Sequence, residues 1–341
     1  MYKPPKRAQN AIVSRVKVMA GLDVAEKRLP QDGRIKIRVN DRDIDVRVSI
    51  IPSAYGEQVT MRLLDKTSAV IGLDDVGMSS ELEKIVVSLV TRPQGVFLVT
   101  GPTGSGKTTT LYTVLQLINT PEKNILTVED PVEYILPGIG QLQVNPKIDL
   151  NFARALRSFL RQDPDVIMVG EIRDEETARI AIQAALTGHL VFSTLHTNDS
   201  ASALTRLIDM GIEPYLLTSS ITAILAQRLV RRICPNCKTV YTPTDFEYGL
   251  LKEYMGNGEK ILYKGTGCDN CINTGYMGRL GIFELLTLNT KVRQMVQEKR
   301  SSEEIKAEVV KDGMVTLRED GMNKVFDGIT TLSEVVRVTI E

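Results

Sequence analysis

The sequence predicts an α/β fold, with a parallel sheet flanked by helices, a smaller α+β unit before it and further elements after it. Apolar runs alternate with amphipathic segments from residue 94 to about 230, and a glycine-rich loop separates the first run from its helix. Such alternation is typical of a parallel sheet with helices on both faces. All four cysteines occur as two C-x-x-C pairs, which indicates a separate module. The expected parts are a partial N-terminal α+β domain at 1–66, a linker at 67–93, the core at 94–231, a tetracysteine module at 232–278, and the last core strand with C-terminal helices at 279–341.

Composition limits the class of protein. Lys plus Arg number 42 and Asp plus Glu also number 42, so the formal net charge is zero. Proteins that bind nucleic acids usually carry a basic excess and stacking rings, and aromatic residues are only 5% here. A nucleic-acid translocase is therefore disfavoured, and no nucleic-acid partner is expected. No apolar run approaches the roughly 18 residues that span a bilayer, and no signal peptide is evident, so a cytoplasmic protein is expected.

Periodicity and turn residues predict the individual elements. Before the core we expect a helix at 8–20, a turn at 30–33, three strands at 34–39, 43–48 and 57–64, and a connecting helix at 79–90. Core strands are expected at 96–100, 124–128, 165–169 and 190–194, and core helices at 107–118, 150–161, 174–187 and 199–209. A longer helix is predicted over about 214–230, and it ends in Arg228, Arg231 and Arg232, cations that suit a helix C-terminus. A strand at 280–286 and a run of helices would follow.

The glycine-rich loop is Gly101-Pro-Thr-Gly-Ser-Gly-Lys-Thr108, which fits the phosphate-loop pattern G-x-x-x-x-G-K-[ST] between a strand and a helix. Its glycines let backbone N–H groups point at phosphate oxygens, and the positive end of the next helix attracts the same anion. We expect Lys107 to reach the β- and γ-phosphates of ATP and the Thr108 hydroxyl to bind Mg²⁺. The predicted nucleotide-binding residues are Gly101, Pro102, Thr103, Gly104, Ser105, Gly106, Lys107 and Thr108.

Acids and a histidine end the neighbouring strands, where ligands of such sheets collect. Glu171 follows an apolar strand and would order the Mg²⁺ hydration shell or activate the attacking water. Glu129 and Asp130 end another strand and could hold Mg²⁺ or waters. His196 could donate a hydrogen bond to the γ-phosphate, with a satisfied core histidine as the equal alternative. His189, at the other end of that strand, is expected to be structural.

The cysteine pairs predict a metal site. Cys234 with Cys237, and Cys268 with Cys271, can each form a knuckle, and together they offer four thiolates at tetrahedral reach. In a reducing compartment this arrangement favours a metal over disulfides, and neither pair precedes a thioredoxin-like pattern. Four protein ligands leave no open position, so we expect a structural Zn²⁺.

These motifs together resemble the secretion ATPase superfamily, and within it the type II secretion ATPases of the GspE (EpsE) family. The resemblance covers essentially the whole chain, at 13–19, 30–34, 101–108, 124–131, 161–165, 170–174, 187–190, 193–198, 225–230 and both cysteine pairs. The family pattern identifies a Walker A motif at 101–108, an Asp box at 124–133, a Walker B motif at 165–171 and a His box at 188–196.

The resemblance implies a RecA-like P-loop NTPase core, a partial PAS-like N-terminal domain, and a hexameric ring that hydrolyses ATP to drive pseudopilus assembly and protein export. It identifies Arg47, Arg62 and Arg279 as arginines that approach the nucleotide on domain closure, although residue type alone would make the first two exposed strand positions. The implied partners are a homo-hexamer and secretion-platform proteins, with a peripheral location on the inner membrane. The family's recruiting N-terminal domain and the first strands of its small domain are expected to be absent from this sequence.

The pilus-extension ATPases of the PilB kind are the alternative, because they share these motifs and often the tetracysteine pattern. Residues 107–110 are at least as typical of the PilB kind, whereas residues 13–27 and 332–339 are more similar to the secretion ATPases. Retraction motors of the PilT kind usually lack the cysteine module. A non-hydrolysing nucleotide switch is opposed by Glu171 and His196.

Overall fold

The computed structural model describes residues 4–39, 42–65, 72–254 and 261–339. The chain divides into two compact units, the first made of Met1–Val70 with Glu133–Ile135 and the second of Ile71–Val132 with Leu136–Glu341. The finer division into five parts stays a prediction.

The first unit contains one helix over an antiparallel sheet. Its elements are α1 (Gln9–Met19), β1 (Gln31–Val39), β2 (Arg42–Ser53) and β3 (Gly56–Asp65), with the strand order β1-β2-β3. Val46, Val48 and Ile50 alternate along β2 and are buried with Val13 of α1, as a half-buried strand requires. The predicted helix, hairpin and third strand are confirmed.

The predicted turn at 30–33 is wrong, because β1 already includes its last three residues. Gln31 lies opposite Ile50 and Gly33 lies opposite Val48 in the ladder. The length of β2 explains the difference. That strand continues to Ser53 and supplies partners for residues that local turn signals place in a loop.

The second unit alternates strands and helices. Its first half contains α2 (Ser80–Val90), β4 (Gly95–Thr100), α3 (Lys107–Ile118), β5 (Ile125–Glu129), β6 (Gly140–Gln143), α4 (Phe152–Phe159), β7 (Val166–Val169), α5 (Glu175–Leu186), β8 (Leu190–Leu195), α6 (Ser200–Asp209), α7 (Pro214–Ser220) and β9 (Ile221–Ile233). Its second half contains β10 (Lys238–Tyr241), α8 (Asp245–Leu251), β11 (Leu262–Gly265), β12 (Tyr276–Thr287), α9 (Thr290–Gln297), α10 (Ser302–Lys311), α11 (Leu317–Phe326) and α12 (Leu332–Thr339).

A seven-stranded sheet in the order β12-β9-β4-β8-β7-β5-β6 organises this unit. Its strands pair in parallel from β9 to β6, and β12 joins antiparallel to β9. Every residue of β4, β7 and β8 is buried, as expected for central strands covered on both faces. The four predicted core strands and four core helices are confirmed. Strand β6 is not among the predicted strands, because its four residues are partly or fully exposed and form no apolar run.

The predicted helix at 214–230 is wrong beyond Ser220. Residues Ile221–Ile233 form β9, which pairs with β4 on one side and with β12 on the other. Its Ala, Leu and Gln residues suit a helix in isolation, but pairing between two strands overrides that weak preference. Arg228, Arg231 and Arg232 therefore lie on a strand and not at a helix end. The predicted strand at 280–286 is confirmed inside β12, and α9, α10, α11 and α12 follow it in the described part of the chain.

Candidate functional site

The glycine-rich loop joins β4 to α3 at the carboxyl edge of the large sheet. Gly101 and Gly106 have φ values of 149° and 88°, in the region that favours glycine. A Cβ on Gly101 would lie 2.4 Å from the backbone oxygen of Gln227, and a Cβ on Gly106 would lie 2.8 Å from its Nε2. Helix α3 begins at Lys107 with no side-chain cap, so its first N–H groups are available to an anion.

Lys107 is buried in this loop, where its Nζ donates to the backbone oxygens of Gly101 (2.7 Å) and Pro102 (3.1 Å). Burial lowers the pKa of Lys107 to about 8, and the charge of Arg228 acts in the same direction while Glu171 opposes it. Among the described residues, the buried Ser105 hydroxyl has no hydrogen-bond partner. A buried cation and an unpartnered donor fit the phosphate oxygens of a nucleotide.

Glu171 and His196 lie together beside the loop. Arg173 Nη2 is 2.5 Å from one carboxylate oxygen of Glu171, and His196 Nε2 is 3.4 Å from the other. The His196 side chain is 47% exposed, and partial desolvation lowers its pKa; the charge of Lys107 adds to this effect, whereas Glu171 opposes it. The structure therefore brings Lys107, Glu171 and His196 into one electrostatic cluster. His189 lies at the opposite end of β8, with Nδ1 2.8 Å from the backbone oxygen of Ala184.

Glu129 and Asp130 are adjacent in sequence but occupy different environments. Glu129 is 3% exposed, and its carboxylate accepts hydrogen bonds from Tyr112, Thr127 and Gln141. Asp130 is exposed, and its charge acts on Arg173. Direct binding of Mg²⁺ by either acid stays a prediction.

The three arginines from the resemblance belong to two units. In the first unit Arg47 lies directly opposite Arg62 in the β2–β3 ladder, so both occupy one face of the sheet. Within the same unit, Arg47 Nη2 is 2.9 Å from Glu133 Oε2, and Arg62 is exposed. In the second unit Arg279 is exposed on β12, after an irregularity in the ladder that begins at Tyr276.

Two residues of β9, Gln227 and Arg228, contact the site, and neither was predicted to belong to it. Gln227 is buried, and its Oε1 accepts a hydrogen bond from Thr110 Oγ1 at 2.8 Å, so it fixes α3 behind the loop. Arg228 Nη2 donates to the backbone and side-chain oxygens of Asn198 at 3.0 and 3.1 Å. Neither contact could be predicted while residues 214–230 were assigned to a helix, although the motif at 225–230 contributed to the resemblance.

The four cysteines converge, as the sequence predicts. All four sulfur atoms lie within 4.8 Å of one another, with 3.8 Å between Cys234 and Cys268 and 3.7 Å between Cys268 and Cys271. A tetrahedron with zinc–sulfur bonds of about 2.3 Å requires sulfur separations of about 3.8 Å. A disulfide would instead need about 2.05 Å. Backbone N–H groups of Gly267 and Gly275 donate to Cys237 and Cys271. The arrangement fits a closed tetrahedral metal site.

A family profile described as "Type II/IV secretion system protein" matches residues 1–337 of the chain. The chain belongs to this family. It is 54% identical over 341 residues to "Type II secretion system protein E" of Dickeya dadantii, which covers all of this chain and 68% of that relative. It is 53% identical over 338 residues to "Type II secretion system ATPase E" of Vibrio cholerae, covering 99% of this chain and 67% of the relative. The predicted membership among the type II secretion ATPases is confirmed.

Members of neighbouring groups are similar as well. "Type IV pilus assembly ATPase PilB" of Thermus thermophilus is 52% identical over 340 residues, which is 99% of this chain and 38% of that relative. The crystal structure of the pilus retraction motor PilT with bound ADP superimposes with a TM-score of 0.64 at 27% identity, over 92% of this chain and 78% of the other. The ATPase DotB of Yersinia pseudotuberculosis, at 23% identity and a TM-score of 0.69 over 96% and 82% of the two chains, supports the fold.

The secretion ATPase family and these structures confirm the predicted α/β fold and the class of enzyme, an ATPase. Within the parts of the chain that the structure describes, no helix is both long and apolar enough to cross a bilayer.

Proposed function

We propose that this chain hydrolyses ATP as the motor of a type II secretion system, within a homo-hexameric ring that works on platform proteins at the cytoplasmic face of the inner membrane. The observation that carries the proposal is the cluster of Lys107, Glu171 and His196 beside the loop 101–108. In that cluster a buried cation, an acid and an imidazole occupy the edge of the sheet where parallel α/β folds bind their ligands.

Each group in the cluster has a defined task. The loop N–H groups and Lys107 hold the phosphates of ATP, and the Thr108 hydroxyl holds Mg²⁺. Bound Mg²⁺ neutralises negative charge on the phosphates. Glu171 accepts a proton from, or orients, the water that attacks the γ-phosphate. His196 donates a hydrogen bond near the same phosphate, and the lowering of its pKa by partial desolvation and by Lys107 favours the neutral imidazole.

Three arginines outside the cluster are proposed to add positive charge beside the transferred phosphoryl group. Phosphoryl transfer places negative charge on the oxygens of the transferred group, and a cation that arrives on closure stabilises it. Arg47, Arg62 and Arg279 take this role in the proposal. The pairing of Arg47 with Arg62 on one face of the small sheet supports their acting together.

Zinc is the metal proposed for the tetracysteine module, with Cys234, Cys237, Cys268 and Cys271 as its ligands. Four thiolates at these separations suit a tetrahedral d¹⁰ ion, and a site closed by four protein ligands is structural.

Pilus extension is the second candidate. The 52% identity to the Thermus thermophilus PilB supports it, but that match covers 38% of the relative. The secretion relatives of Dickeya dadantii and Vibrio cholerae match at 54% and 53%, over 68% and 67% of their own lengths. Secretion is therefore the preferred system.

The first test is Glu171→Gln in the full chain. We expect it to bind a fluorescent ATP analogue as the parent does, and to lose at least about 100-fold in kcat, because the proton acceptor is gone. Glu122→Gln, which neutralises an exposed acid elsewhere in the second unit, is the matched control and keeps the parent kcat. Equal turnover by Glu171→Gln and the parent would refute the role of Glu171.

A further inference from the structure

Glu129 ends β5 as a buried carboxylate surrounded by neutral donors. Tyr112 Oη donates to its Oε2, Thr127 Oγ1 donates to its Oε1 at 2.6 Å, and Gln141 Nε2 donates to the same Oε1 at 3.2 Å. Tyr112 is fully buried on α3, the helix that begins with Lys107. The hydroxyl of Tyr112 therefore connects the helix of the nucleotide loop to an acid at the end of the neighbouring strand.

Gln141 completes this network from β6. Its Nε2 lies 3.4 Å from Tyr112 Oη, and its Oε1 accepts a hydrogen bond from the backbone N–H of Leu136 at 2.6 Å. One amide thus contacts the acid, the tyrosine and the backbone between β5 and β6. The three donors to Glu129 come from α3, β5 and β6, so its carboxylate cannot rotate without losing at least one of these bonds.

Glu129 also lies close to the end of β7, the strand that leads to Glu171. Val128 pairs with Val169, and a Cβ on Gly170 would lie 3.3 Å from the Cα of Glu129. The network therefore borders the reaction centre, although its members Tyr112 and Gln141 belong to none of the motifs that define it.

We propose that Tyr112 and Gln141 are positioning residues that hold Glu129 in one orientation before nucleotide binds. This inference rests on the proposed ATPase function. A polar group that is already oriented does not have to reorganise during the reaction. Its contribution is therefore stabilisation of the transition state. Loss of that contribution lowers kcat and leaves the binding of ATP nearly unchanged.

The test is Tyr112→Phe in the full chain, which removes the hydroxyl and keeps the buried ring. We expect kcat to fall about tenfold, the size of one hydrogen bond to a charged group, while KM for ATP changes by less than about twofold. Tyr241→Phe is the matched control. It removes a hydroxyl that donates to Glu247 in the tetracysteine module, and it should leave both constants unchanged.

A double-mutant cycle separates positioning from a structural role. In a Glu129→Ala background, adding Tyr112→Phe should lower the single-turnover rate by less than about twofold, because there is no carboxylate left to position. Gln141→Leu, at a partly exposed site, provides a second variant if Tyr112→Phe does not fold, and we expect a fall of about threefold that the Glu129→Ala background again removes.

Parent-like kcat in both single variants would overturn the proposal. So would losses of kcat that persist undiminished in the Glu129→Ala background, or a rise in KM without a fall in kcat. Failure of the parent chain to hydrolyse ATP at all would instead overturn the proposed function.

Discussion

Lys107 shows how burial sets the chemistry of one residue. Its pKa is lowered to about 8, so the side chain is protonated at pH 7 and loses its proton in the free protein as the pH rises through 8. Bound phosphate favours the protonated form because opposite charges attract. Above pH 8, binding of ATP must therefore include uptake of a proton.

We expect the apparent Kd for ATP to be flat from pH 6.5 to 7.5 and to rise toward about tenfold per pH unit above pH 8. Titration with a fluorescent ATP analogue at several pH values measures this. Lys107→Met, which has no titrating group at this position, should bind weakly with little pH dependence. A parent Kd that stays constant from pH 8 to 9.5 would contradict the lowered pKa of Lys107.

The parts of the site that short motifs encode could be predicted from the sequence. The loop 101–108, the acid at the end of β7 and the four cysteines each have a recognisable local pattern. Tyr112 and Gln227 do not, since their partners are remote in sequence. Gln227 meets Thr110 across 117 residues, and only the fold makes them neighbours.

At the scale of elements, the sequence predicts the structure correctly wherever one hydrophobic periodicity dominates. Strand β4, the loop and α3 follow in the predicted order because a buried apolar run, glycines and a helical repeat succeed one another. Strand β9 was mistaken for a helix because its Ala, Leu, Gln and Arg residues suit a helix and are interspersed with its β-branched residues. Its conformation depends on hydrogen bonds to β4 and β12, which no local window contains.

The tetracysteine module is the element that is proposed to depend on a metal. We expect elemental analysis to find about one Zn²⁺ per chain, and we expect the double change Cys234→Ser with Cys237→Ser to abolish it, because two of four ligands are lost. Thr239→Ser, an exposed position of the same module, is the matched control and should retain the metal. The double variant should also unfold at a lower temperature. Metal-free parent protein would refute the zinc proposal.

The whole molecule is proposed to act as a ring, so activity should depend on assembly. We expect specific ATPase activity to rise with protein concentration in step with the appearance of hexamers in size-exclusion chromatography with light scattering. The reason is that, in the proposed mechanism, arginines that arrive on closure within the ring stabilise the transition-state charge. A monomer with flat specific activity would mean that each chain hydrolyses ATP alone.

The irregular pairing of β9 with β12 has a consequence for how this architecture changes over evolutionary time. Ile233 lies opposite Tyr276, and the N–H of Cys234 donates to the backbone oxygen of Gly275. The chain therefore leaves the sheet after Ile233 and returns to it at Tyr276, at two adjacent points. A short turn could join these two points, but a deletion of the segment would also remove Leu251 and Leu262, which are buried against β9 and β12. A lineage that lost the cysteines in one deletion would therefore also have to refill the core between these strands and the C-terminal helices.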